Sequence, residues 1–184
     1  MSAITTKKRG GKMHQFIVVD PNLCTGCETC ESVCSFVHDG EFNPINTRIH
    51  RVRIEPVFDI ALACQKCEDA PCIRACPEKA LEKDPETGSI IVDDDKCNGC
   101  GYCCRACEFG AMTMHIISQK ALVCDLCENM KDEFVEEGGK KEPQCILVCP
   151  KEAISLKNVE QIGEESRIDA VKRLFGDVSE FSSK

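Results

Sequence analysis

The chain has 184 residues, a formal net charge of −8 and an apolar fraction of 42% that includes 17 cysteines. One tyrosine and no tryptophan leave little for a large core, so the length allows one or two small domains. The acidic balance argues against nucleic acid as a partner, and no apolar run approaches the ~18 residues that a membrane span needs.

Met1 to Lys12 is basic and glycine-containing and leads into no apolar segment of the secretory type. The cysteine count is odd and the spacings are those of metal ligands, so a reducing cytoplasm is expected rather than a disulfide framework. Gln15–Asp20 is an apolar, β-branched run and predicts a strand. Cys24, Cys27, Cys30 and Cys34 follow as C-x2-C-x2-C-x3-C. Cys64, Cys67, Cys72 and Cys76 read C-x2-C-x4-C-x3-C, closed by Pro77. Ser89–Asp93 predicts a second strand before Cys97, Cys100, Cys103 and Cys107, which repeat the first spacing. Thr113–Ile117 is a weaker strand candidate. The last group, Cys124, Cys127, Cys145 and Cys149, reads C-x2-C-x17-C-x3-C, closed by Pro150.

Each C-x3-C-P ending predicts a short helix stopped at the cysteine by the proline. The stretch Glu128 to Gln144, charged and holding Gly138-Gly139, reads as an exposed excursion, either a solvated loop or a docking element. Ser166–Phe175 places Ile168, Val171, Leu174 and Phe175 at helical spacing, which suits a helix packed on its own domain or an arm that docks on a larger subunit.

The chain repeats itself. Adding 73 to Cys24, Cys27, Cys30 and Cys34 gives Cys97, Cys100, Cys103 and Cys107. The same shift takes Cys72, Cys76, Pro77 and Ala80 to Cys145, Cys149, Pro150 and Ala153, and Gly26 to Gly99. Ile17-Val18-Val19-Asp20 answers Ile90-Ile91-Val92-Asp93. Cys64 and Cys67 correspond to Cys124 and Cys127 at a shift of 60.

A [4Fe–4S] cube takes four thiolates, typically three from one tight loop and one from elsewhere. Sixteen cysteines in four groups therefore make four cubes, and such a chain conducts electrons. Gly26, Gly99 and Gly101 let the backbone come close and adopt positive φ, so that N–H groups point at sulfur. Ser35 and Glu108 stand where the other two prolines would be. With so small a core, metal binding supplies much of the folding energy, and the metal-free chain is expected not to fold.

Cys104, directly after Cys103, reads as a buried and inert thiol. His14, His38, His50 and His115 are scattered and are not read as ligands. No Ser–His–Asp set, phosphate loop or acid–base pair stands out, so no substrate chemistry is expected of this chain alone. Four all-cysteine zinc sites are the competing metal reading, but zinc modules usually offer separated pairs of ligands rather than C-x2-C-x2-C runs. A free-standing polyferredoxin is the competing functional reading.

These four motifs, over about Gln15 to Leu156, resemble the four-cluster ferredoxin-like subunits of molybdenum and tungsten oxidoreductases, the dimethyl-sulfoxide-reductase iron–sulfur type. The resemblance implies crossed ligation. Cys24, Cys27, Cys30 and Cys149 hold one cube, and Cys34, Cys124, Cys127 and Cys145 its neighbour. Cys64, Cys67, Cys72 and Cys107 hold a third, and Cys76, Cys97, Cys100 and Cys103 the last. It implies an α+β fold of two bacterial-ferredoxin-like modules. The outer module spans 13–62 plus 118–156, the inner one, 63–117, is inserted within it, and 157–184 forms a docking tail. The opening His14-Gln15-Phe16-Ile17-Val18-Val19-Asp20-Pro21, with Cys24-Thr25-Gly26-Cys27, is similar to the small subunits of tungsten enzymes of the aldehyde oxidoreductase type and of class II benzoyl-CoA reductases. That family implies a large tungsten or molybdenum pterin subunit as partner, with ferredoxin or a further electron-transfer subunit on the other side.

Overall fold

The computed structural model describes residues 14–55, 58–131 and 142–175. The basic stretch Met1 to Lys12, most of the Glu128–Gln144 excursion with its Gly138-Gly139 pair, and the end of the 157–184 tail lie outside the described residues.

The strands are β1 Phe16–Val19, β2 Ile49–Ile54, β3 Phe58–Ala63, β4 Leu81–Lys83, β5 Ile90–Val92, β6 Thr113–Met114, β7 Ala121–Leu122 and β8 Ile154–Lys157. The helices are α1 Thr29–Asp39, α2 Pro71–Arg74, α3 Tyr102–Ala106, α4 Gln144–Leu147 and α5 Val159–Phe175, with a 3₁₀ turn at Pro44–Asn46. The described strands form four two-stranded antiparallel sheets: β1 with β8, β2 with β3, β4 with β5, and β6 with β7. Small sheets and short helices of this kind make a mixed, ferredoxin-like fold.

The two predicted strands are present, trimmed by a residue at each end. Thr113–Ile117 is a strand only at Thr113–Met114. Beyond it His115 starts a turn: its amide donates to Lys120 O, its carbonyl accepts from Gln119 N, and its Nδ1 accepts from the amides of Ile117 and Ser118. The helices α2 and α4 end just ahead of Cys76-Pro77 and Cys149-Pro150, as proline requires. Ser35 imposes no such stop, so α1 runs on for eleven residues and ends at Gly40, whose φ of 82° closes the helix.

Backbone details recur in positions that the shift of 73 relates. Val19 faces Ile154 across β1–β8, and Val92 faces Leu81 across β4–β5. Asp20 N donates to Ala153 O and Asp93 N to Ala80 O, both at 2.8 Å. Lys79 and Glu152 share a positive φ of 51°. The connection differs: β4 and β5 are joined by a short loop, whereas β1 and β8 come from opposite ends of the described chain.

The core has two main parts and a small third one, Val37, Cys127 and Met130. One gathers Ile17, Ile49, Ala61, Ala63 and Ile154 around Cys30, Cys34 and Cys145. The other gathers Leu81, Ile90, Met112, Ala121 and Val123 around Cys72 and Cys103. In both, cysteines take the place that leucine or phenylalanine would fill in an ordinary core. Helix α5 joins neither: Val159, Ile168, Val171 and Leu174 are exposed, and Lys157–Glu165 and Asn158–Gln161 contacts tie its start.

Candidate metal centres

All 17 cysteines are free. Sixteen of them line four cavities, four to a cavity. The first is lined by Cys24, Cys27, Cys30 and Cys149, the second by Cys34, Cys124, Cys127 and Cys145. The third is lined by Cys64, Cys67, Cys72 and Cys107, the fourth by Cys76, Cys97, Cys100 and Cys103. In each, three cysteines come from one motif and one arrives from another. The cavities measure about 410, 290, 650 and 320 Å³ in that order, counting the part open to solvent. Among the described residues, no group of three or more Cys, His, Asp or Glu closes on a single-ion position. The thiols instead stand around a space large enough for a polynuclear group.

Helix periodicity makes the crossing. Cys30 and Cys34 lie one turn apart on α1, so one thiol faces the first cavity and the other the second. The remaining C-x3-C pairs are split the same way. The cysteine that crosses over accepts a backbone N–H in every case. Ala80 N donates to Cys76 Sγ, Ala111 N to Cys107 Sγ and Ala153 N to Cys149 Sγ, each at 3.3 Å. For Cys34 the residue four positions on is still inside α1, and Arg48 N donates instead, at 3.4 Å. Such N–H donors stabilise thiolate over thiol and tune a bound cluster.

The loops ahead of the helices need positive φ. Gly99, at φ 76°, leaves no room for a side chain, since a Cβ there would lie 2.6 Å from Gln119 O. Gly101, at φ 71°, faces open space, and Glu28 takes the equivalent position in the first motif at φ 63°.

Burial pushes the thiols up: Cys30, Cys103 and Cys127 to about 12 and Cys72 to about 11, with Cys64, Cys124 and Cys145 moved the same way. Without a metal these sulfurs hold their protons, so a bound cation must displace them. Cys34 goes the other way. Burial raises it, but the His38 hydrogen bond and charge, the Arg48 amide and the Thr47 hydroxyl together outweigh burial and leave it lowered. This donor set, all sulfur and gathered in fours with N–H groups aimed at it, fits [4Fe–4S] clusters.

Sequence reasoning missed the polar groups around the second cavity. His38 Nδ1 lies 2.7 Å from Cys34 O, and Nε2 lies 3.1 Å from Asp125 Oδ1. A carbonyl and a carboxylate only accept, so both ring nitrogens donate and the imidazole is cationic. Burial opposes that charge, but Asp125 and Cys34 push His38 up to about 9. Arg48 Nη1 holds the other Asp125 oxygen at 2.9 Å. Nothing in sequence links residues so far apart. His38 itself lines the second cavity, beside Cys34 and Arg48. Cys104 is a correction: it is half-buried rather than buried, because α3 lies close to the surface, and burial and Cys103 beside it govern its thiol.

Among the described residues no helix is long and apolar enough to cross a membrane.

Comparison with known proteins agrees with the donor chemistry. The model of the 4Fe-4S dicluster domain matches residues 57–159, and that of a 4Fe-4S binding domain matches residues 16–38. The polyferredoxin-like subunit of an aliphatic sulfonate oxidoreductase from Pyrococcus furiosus is 34% identical over 134 residues, covering 73% of this chain and 70% of the relative. Electron transport protein HydN of Escherichia coli is 31% identical over 180 residues, covering 84% of this chain and 96% of the relative. A chain of the BamBC active site complex of benzoyl coenzyme A reductase superposes with a TM-score of 0.45 at 20% identity, covering 94% of this chain and 99% of that one. The chain belongs to the 4Fe-4S dicluster family, whose ferredoxin-like members are iron–sulfur electron-transfer subunits of oxidoreductases.

Proposed function

We propose that this chain carries four [4Fe–4S] cubes, one in each four-cysteine cavity, and relays electrons between a tungsten or molybdenum pterin catalytic subunit and an external carrier or further subunit. The observation that carries the reading is the sorting of sixteen cysteines into four cavities of four, each completed by a cysteine from another motif. When bound, the cubes supply one-electron storage at potentials that the protein tunes by hydrogen bonds and burial.

The chain's own part is to hold the sets in line. Helix α1 bridges the first and second sets through Cys30 and Cys34. Helices α2 and α3 lie against each other's motifs and bridge the third and fourth through Cys72/Cys76 and Cys103/Cys107. Exposed cysteines lie in the two outermost sets, Cys27 in the first and Cys100 in the fourth. These are the ends of the line. One faces the catalytic subunit and the other the carrier.

The nested division, 13–62 with 118–156 around 63–117, belongs to the same proposal, as does its origin in a duplication. The β1–β8 pairing and the hydrogen bonds shared across the shift of 73 support it. The tail 157–184 docks the larger subunit, and the exposed apolar residues of α5 support that role. The tungsten partner, of the class II benzoyl-CoA reductase or aldehyde oxidoreductase type, rests on the overall resemblance to such subunits and on no single residue. The acidic balance and free thiols fit a cytoplasmic complex.

Anoxic native purification, with the partner identified and metals counted, tests this. Co-purification with a large tungsten or molybdenum subunit and about sixteen irons per chain is expected. A lone brown protein makes it a free polyferredoxin, and a colourless zinc protein overturns the cluster reading.

A further inference from the structure

Lys66 lies between Cys64 and Cys67 in the loop of the third set and is only 6% exposed. Its amide donates to Cys64 Sγ at 3.5 Å, and its ammonium donates to Thr87 O at 3.0 Å. A buried ammonium needs counter-charge, and a carbonyl supplies none. Burial pushes the Lys66 ammonium below the ordinary lysine value, and the groups whose negative charge opposes this are Cys124, Glu128, Cys64 and Asp84. Two of these are cysteines, one from the third set and one from the second. The ammonium therefore sits where the two halves of the line meet.

The loop itself does not require a lysine. The matching position in the last motif, 60 residues on, is Leu126, and the two residues share the same left-handed backbone, φ 49° and 57°. Leu126 packs against the core of its half. One loop thus packs a half-buried leucine on its core and its counterpart buries a charge, both with left-handed backbone.

We infer that Lys66 is a counter-ion shared by the second and third sets and holds both of their cubes at a higher reduction potential than their thiolates alone would allow. This rests on the four-cube reading above. A cube that gains one electron from a donor becomes one unit more negative, and a fixed cation in a dry site favours that state. Lys66 acts through the cubes and is a positioning residue. Raising the two inner potentials together keeps the electron from stalling at the join between the halves.

The test is a dithionite titration of the anoxic full-length protein followed by electron paramagnetic resonance, with iron and sulfide counted first. In Lys66→Leu, which the sister loop accommodates, two of the four midpoint potentials fall and two stay. Lys66→Arg restores both. If all four potentials hold in Lys66→Leu, or all four fall alike, the inference is overturned while the cube reading stands. If Lys66→Leu assembles incompletely, loss confined to two cubes and rescued by Lys66→Arg supports the shared counter-ion, and loss spread over all four overturns it. A wild-type chain without four signals overturns both readings.

Discussion

His38 and Asp125, 87 residues apart in sequence, meet at 3.1 Å beside the second cysteine set, with His38 donating to the carboxylate. Arg48 takes the other carboxylate oxygen. Burial raises Asp125, but the His38 hydrogen bond and the Arg48 charge hold it well below the ordinary carboxylate range. Its backbone ties, from the amides of Cys127 and Asn129, fix the loop that carries Cys127. Asp125→Ala leaves the largely buried Arg48 guanidinium and the His38 ring without their shared carboxylate and is expected to cost about 3–5 kcal/mol. Glu165→Ala breaks only the exposed Lys157 pair and is expected to change stability by less than about 1 kcal/mol. Denaturant unfolding of the anoxic cluster-loaded protein measures both.

Cys34 stands in the first motif but lines the second cavity. Cys34→Ser is expected to alter the cube held with Cys124, Cys127 and Cys145 and to leave that of Cys24, Cys27 and Cys30 intact. Mössbauer and paramagnetic resonance spectra of single-motif variants assign the signals. Loss of the first-motif cube instead would refute the crossed arrangement.

Gly99 and Gly101 share a backbone conformation but not a neighbourhood. Gly99→Ala meets both the αL penalty and the Gln119 carbonyl, while Gly101→Ala meets only the penalty, about 1–2 kcal/mol. Gly99→Ala is therefore the more damaging of the two. Iron content and melting temperature, measured side by side, give the order.

His50 on β2 is held neutral, because burial pushes it below the ordinary histidine value. Its Nε2 meets Thr113 Oγ1 at 3.5 Å. As pH falls through about 6.5, the unfolded chain takes up a proton that the folded chain refuses, so stability declines. This contribution is absent above that pH. In His50→Gln the decline between about pH 7.5 and 5.5 is expected to be shallower than in the wild type. Equal slopes would show that His50 titrates normally.

Removal of iron is expected to abolish cooperative unfolding, because small cores built partly from cysteine cannot hold the fold alone. Calorimetry of the chelated, reduced chain checks this. A sharp melt would refute it.

The cysteine sets were legible because ligand chemistry restricts residue type and loop geometry restricts spacing. The length of α1 was legible only as a missing proline at Ser35, a cue that gives a direction but no endpoint. The β2–β3 hairpin escaped notice. Ile49-His50-Arg51-Val52-Arg53-Ile54 does not alternate cleanly, and it is held partly by Arg51 and Arg53 gripping Asp59 on the facing strand. Pairings between distant segments, Arg48 with Asp125 or Asn46 with His115, leave no local trace. Lys66 looks like any surface lysine until the fold buries it.

The pairing of β1 with β8 also sets an order of birth. The ribosome releases Phe16–Val19 well before Ile154–Lys157, so this strand pair stays open until the whole segment between them has been made. All eight cysteines of the third and fourth cavities, Cys64 through Cys107, have emerged before that. The middle of the polypeptide is therefore ready for metallation while its two ends still wait for each other. A chain cut short before Cys149 would leave Cys24, Cys27 and Cys30 without the cysteine that completes their cavity.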